Sequence, residues 1–248
     1  MLDDRHWKLD ALLRLLILGC LGIGVGSLSL MVIENVTRQR LLPNDLEFFR
    51  QAGGFIALQG LGLIWIYIFL REHEISAAPA FGFHNAPGRS MGVAFLIMLG
   101  VLPLIFALMI LTGTLMQKFF GIAPPEQVTV GFLKNHPRFW QTIILGFVAV
   151  VLAPVAEEML FRGILYPFIK QRGYPRTALW STAILFGVIH FNLGALVPLI
   201  GLALVWTWLY ERTRNLLAPI TAHVTFNAVN FFLLTADLPE WLEKLVKK

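Results

Sequence analysis

Six side chains in the C-terminal part of the chain have the chemistry of a hydrolytic site and sit among apolar neighbours: Glu157, Glu158, Arg162, His190, His223 and Asn227. The stretch "VLAPVAEEMLFRGILYPFI" carries the first three, "ILFGVIHFN" carries His190, and "TAHVTFNAVN" carries His223 and Asn227. Glu158 and Arg162 are four apart with the acid first, the order that gives a favourable ion pair on one helix face. Glu157 is rotated by about 100° from its neighbour. One carboxylate is therefore paired and the other is free for chemistry. His223 and Asn227 are also four apart and share a face, and Asn230 extends that stripe. A carboxylate and an imidazole that meet away from bulk water can activate a water molecule.

Each group also has a structural reading. An intramembrane histidine can be a hydrogen-bonded bundle residue, an asparagine can join helices, and a Glu–Arg pair can be an internal staple. Convergence favours chemistry, because Glu157, His190, His223 and Asn227 fall in three helices of one half of the chain.

The elements that must position these residues are set by the solvent. Apolar residues make up 57% of the 248 and charged residues 14%, against about 25% charged in soluble domains. Several apolar runs reach the ~20 residues that cross a bilayer core as a helix. The runs near 11–33, 53–70, 91–117, 141–166, 177–192, 195–211 and 216–235 predict an all-α polytopic transmembrane helix bundle of about seven spans, with six to eight as the range. Continuous apolarity excludes a barrel, whose strands would alternate. Pro103 makes the third run a kinked helix or two segments. A charge at mid-bilayer costs roughly 2.5–3.5 kcal/mol on insertion scales, so the six polar groups require partners or a purpose.

The organisation follows from where those groups lie. Residues 1–139 read as N-terminal scaffold helices, 140–235 as the catalytic helical core, and 236–248 as a short basic tail at the membrane interface. The connector Lys118–Arg138 contains three prolines. Gly173 and Pro175 predict a turn that folds 141–192 into a helical hairpin, with Glu157 and His190 at matching depth. Cys20 follows "LLILG" as in a lipoprotein processing site, but the apolar run continues to Ile33, which favours a retained first helix. The formal charge of +5 is spread between apolar runs. It suits topology and lipid headgroups and lacks the clustered basic face of a nucleic-acid binder. Lys170, Arg172, Arg176, Arg212 and Arg214 place the connectors 167–176 and 211–215 on the cytoplasmic side.

"EEMLFR", "FGVIH" and "HVTFN" match the patterns Glu-Glu-x-x-x-Arg, Phe-x-x-x-His and His-x-x-x-Asn. In order and spacing they resemble the CPBP family of intramembrane endopeptidases, which includes the CAAX prenyl endopeptidases and relatives linked to bacteriocin processing and immunity. The resemblance covers about residues 140–235. It implies that Glu157 acts as general base on a water shared with His190. It implies that Arg162 steadies Glu158, and that His223 and Asn227 stabilise the oxyanion. The expected reaction is hydrolysis of a peptide or membrane-protein substrate, with or without a lipid, by an integral multi-pass membrane protein (in the plasma membrane, if the cell is bacterial).

The expected chemistry is metal-free. The alternative is a divalent metal such as zinc on Glu157, His190 and His223, although no His-Glu-x-x-His is present. Serine and aspartyl intramembrane protease motifs are absent from the sequence. Two other functions use the same buried charges: a transporter or ion-binding protein, and a catalytically idle scaffold. Against transport, no inverted hydropathy repeat is visible.

Overall fold

The computed structural model describes residues 7–37, 43–121, 133 and 138–236. Among them there is no strand, and the expected all-α bundle is what forms. Its helices are α1 (Leu9–Thr37), α2 (Pro43–Glu72), the short α3 (Ala77–Phe81), α4 (Pro87–Phe120), α5 (Phe139–Lys170), α6 (Pro175–Val188), α7 (Leu193–Thr213) and α8 (Leu217–Thr235). Five of them, α2, α4, α5, α7 and α8, are long and apolar enough to cross a membrane. The 29-residue α1 runs through Cys20 without a break. Pro103 does not divide the third run, since α4 is one helix of 34 residues. Most of the connector before α5 and almost all of the expected interfacial tail lie outside the described residues.

One expected span is corrected. The run 177–192 forms a helix of only 14 residues that stops at Val188. At 1.5 Å per residue that is about 21 Å, short of a ~30 Å hydrocarbon core. The reason is local. Asn192 takes an extended backbone and accepts the Ala195 N–H at 3.1 Å, capping α7. The chain must therefore leave the helix before it, and Phe191 does so in the left-handed region at φ 50°.

The core lies where α4, α5, α6, α7 and α8 meet, and includes Met98, Ile164, Phe186, Leu202 and Trp206. α4 packs along both α7 and α8, α2 packs on α5, and α1 packs on α2. The N-terminal helices α2 and α4 thus pack against helices that carry the polar groups.

Two glycines make close approaches possible. A side chain at Gly163 of α5 would meet the Phe81 ring at 2.5 Å, so α3 can lie against α5 only because that position is bare. Gly82, at φ 71°, would drive a Cβ to 2.0 Å from the Arg214 carbonyl. Around it a polar clasp joins the α3–α4 link to the α7–α8 turn. Asn85 donates to the Arg214 carbonyl at 2.8 Å, and Asn215 donates to the Asn85 carbonyl at 2.9 Å. Leu216 N–H donates to the Phe81 carbonyl at 2.9 Å. The clasp fixes where α8 begins, less than two turns before His223.

α5 is not a uniform α-helix. It widens into π turns at Val148–Leu152 and Phe161–Leu165, closed by bonds from Ala153 N–H to the Val148 carbonyl and from Tyr166 N–H to the Phe161 carbonyl. Each is followed at once by a proline, Pro154 and Pro167. A proline ring collides with the carbonyl four residues back, and a widened turn relieves that contact. Glu157 and Glu158 stand on the eight-residue α segment between the two π turns, Ala153–Leu160.

Candidate active site

Glu158 is the hub of the buried polar cluster. Its Oε1 accepts Arg162 Nη1 at 2.9 Å and His223 Nδ1 at 2.9 Å. The ion pair follows from the i,i+4 spacing read in the sequence. The histidine contact does not, because it joins α5 to α8. Arg162 is further held by the Ala203 carbonyl at 3.0 Å and the Thr207 hydroxyl at 3.4 Å, both on α7. Three helices therefore meet on one ion pair whose side chains are 0% and 2% exposed. Breaking such a pair by removing one partner costs ~3–5 kcal/mol, because the other charge is stranded.

Glu157 is different from its neighbour. Its side chain is 19% exposed, against none for Glu158, so of the two carboxylates it is the one that a substrate can meet. Its Oε2 lies 3.9 Å from His223 Nε2. That is too long for a direct hydrogen bond and short enough for one oxygen atom to touch both groups. His223 therefore bridges the two adjacent glutamates, with Nδ1 on the buried one and Nε2 towards the accessible one. With Glu158 as a carboxylate acceptor, Nδ1 carries a proton and the free position is Nε2.

The structure places His190 differently from the hairpin expectation. It sits in the turn after α6, half-buried, rather than within a helix. Its Nδ1 bonds the Phe186 carbonyl at 2.6 Å, and its ring packs 4.7 Å from that of Phe186. The imidazole brought to ion-pair distance of Glu157 is that of His223 instead. His190 joins the cluster through Phe186, whose ring also lies edge-on to His223 at 5.9 Å and 5.0 Å from the Arg162 guanidinium.

Asn227 is the second surprise. It lies on the His223 face of α8, as its spacing requires, but its Nδ2 donates to the Ala149 carbonyl of α5 at 2.8 Å. In the π register of that turn the next donor to Ala149 would be residue 154, a proline with no N–H. Asn227 supplies the missing bond. Its second amide hydrogen remains for chemistry. Asn230 folds back onto the Phe226 carbonyl and does not extend the site.

Among the described residues, no three His, Cys, Asp or Glu side chains gather as a metal-holding group.

Sequence reading missed Trp206 and Thr207 of α7. Trp206 is fully buried and stacks on the His223 ring, with centroids 3.9 Å apart and planes 18° from parallel. The 203, 206, 207, 210 spacing of a buried face is present in the sequence. It is silent there because the whole run around it is apolar.

Comparison with known proteins covers the same part of the chain. Residues 139–229 match the family described as type II CAAX prenyl endopeptidase Rce1-like, which includes all six polar residues. "Putative membrane peptidase YdiL" of Bacillus subtilis is 24% identical over 54% of this chain and 54% of its own. "Uncharacterized protein YpbD" of the same organism is 32% identical over 32% of this chain and 40% of its own. "CAAX prenyl protease 2" of Arabidopsis thaliana is 27% identical over 55% of each chain. The chain thus spans about half the length of the first and last of these relatives. No solved structure matches it. The resemblance carried by "EEMLFR", "FGVIH" and "HVTFN" is to this family, and the protein is a multi-pass integral membrane protein.

Proposed function

We propose that this chain, related through residues 139–229 to the Rce1-like CAAX endopeptidases, is a membrane endopeptidase that hydrolyses peptide bonds with a water activated by Glu157. The observation that carries the reading is the bridge made by His223, bonded at 2.9 Å to buried Glu158 and facing accessible Glu157 at 3.9 Å. A carboxylate taken partly out of water is a stronger base than one in bulk solvent.

In the proposed reaction the water oxygen attacks the scissile carbonyl carbon while Glu157 takes its proton. The carbonyl oxygen becomes an oxyanion, facing the second amide hydrogen of Asn227 and the Nε2–H of His223, which enters and leaves this step as the imidazolium. Glu158 balances the imidazolium as a fixed anion, and Arg162 balances Glu158. Glu157 then gives its proton to the leaving nitrogen as the C–N bond breaks. His190, anchored at the Phe186 carbonyl, is the second group assigned to that water. Donors at an oxyanion are worth ~3–4 kcal/mol each in the transition state. The substrate is a peptide segment of a membrane or membrane-delivered protein.

The test is Glu157→Gln, which keeps shape and removes the base. Membrane proteomes of cells carrying the wild type and E157Q are compared for new chain ends. A farnesylated and an unlipidated peptide of one sequence, incubated with the purified proteins, test whether lipid matters. E157Q should abolish cleavage while leaving expression and thermal unfolding as in the wild type. Full activity in E157Q refutes the base assignment.

A further inference from the structure

We infer that Trp206 is a positioning residue of the site, holding the plane of the His223 ring. The inference rests on the function proposed above and extends it to a side chain outside the three motifs.

The geometry leaves His223 with one hydrogen bond in its own plane, from Nδ1 to Glu158 at 2.9 Å. That bond and the covalent tether at Cβ still let the ring rock through changes in χ1 and χ2. The direction of Nε2 is then undetermined, and its 3.9 Å approach to Glu157 would be one position among several. Trp206 removes that freedom. The indole lies face to face with the imidazole at 3.9 Å and 18°, and Phe186 closes an edge at 76°. Rocking of the imidazole out of its plane would drive it into the indole.

The second part is the pocket around the ring. Trp206 is 0% exposed and also lies 5.3 Å from the Arg162 guanidinium. The groups facing His223 are Glu157, Glu158 and Arg162 from α5, Trp206 from α7, and Phe186 with His190 beyond it from the end of α6. Among these the indole is the group stacked on the ring, so it fixes the ring plane without adding a charge to the pocket. Its action on Glu157 passes through His223.

Two measurements test this. In detergent-solubilised protein with labelled histidine, the His223 ring protons should be displaced upfield by the stacked indole. The displacement should persist in part in Trp206→Phe and vanish in Trp206→Leu. In cleavage of a substrate identified with the E157Q comparison, W206L should lower kcat by about tenfold or more with KM nearly unchanged, and W206F should recover most of it, as expected if the aromatic face holds the ring for the transition state. Ordinary His223 shifts in the wild type, or a W206L enzyme with wild-type kcat, would overturn the inference. If W206L does not fold, the wild-type shifts and the W206F kinetics still decide. An inactive E157Q together with an unimpaired W206L would sink this inference alone, whereas an active E157Q sinks the mechanism beneath it.

Discussion

Arg14 and Arg162 do the same thing in different places. Arg14 of α1 reaches Asp10 at 3.0 Å and Glu72 of α2 at 2.8 Å, and Arg162 of α5 reaches Glu158 at 2.9 Å. The first arginine side chain is 51% exposed and the second 2%. In the scaffold half such pairs sit near helix ends and water screens them. In the core half the pair is sealed, and each partner takes on further bonds, from His223, Thr207 and the Ala203 carbonyl. Identical spacing and chemistry therefore tie down a terminus in one half and organise a site in the other. Desolvation makes the difference.

The largest effect that tests this contrast is Arg162→Met. It strands the Glu158 carboxylate, and we expect a loss of ~3–5 kcal/mol, read as a lower unfolding midpoint in detergent together with loss of cleavage. The double variant E158Q/R162M should recover much of the stability and none of the activity. Wild-type stability in R162M would mean that the pair is not sealed, and the contrast would collapse.

A middle-sized effect sharpens it. Asn227→Ala leaves the Ala149 carbonyl without a donor, at a cost of ~1–3 kcal/mol for a buried unsatisfied group. In a Pro154→Ala background residue 154 regains an N–H, and the added cost of N227A should shrink. Equal costs in both backgrounds would show that Asn227 is not standing in for the missing proline donor.

The smallest effect belongs to the scaffold. Arg14→Ala should change stability by less than ~1 kcal/mol, as exposed pairs do, and leave cleavage unchanged. A large loss there would place the α1–α2 contact on the same footing as the core.

Much of this was legible beforehand, for definite reasons. In lipid a backbone must satisfy itself, so a long apolar run leaves little choice but a helix. Spacing within one helix is equally readable, which is why the Glu158–Arg162 pair and the shared face of His223 and Asn227 are where they were expected. Contacts between helices were not legible. The 177–192 run hid the stop at Val188, because the signal lay in Asn192 serving the following helix. That stop leaves His190 in a turn rather than within the helix that the hairpin expected. Trp206 left no trace in a run that is apolar on every side.

By itself the sequence determined the solvent, the helices and the pairs within each helix, since those depend only on residues a few positions apart. The tertiary structure decided that His223 turns Nδ1 to Glu158 and Nε2 to Glu157, that an indole covers its ring, and that Asn227 completes a π turn of α5. Those choices depend on how each helix is rotated and where it crosses its neighbours. In a bundle whose helices are apolar all round, no periodicity along the chain records either.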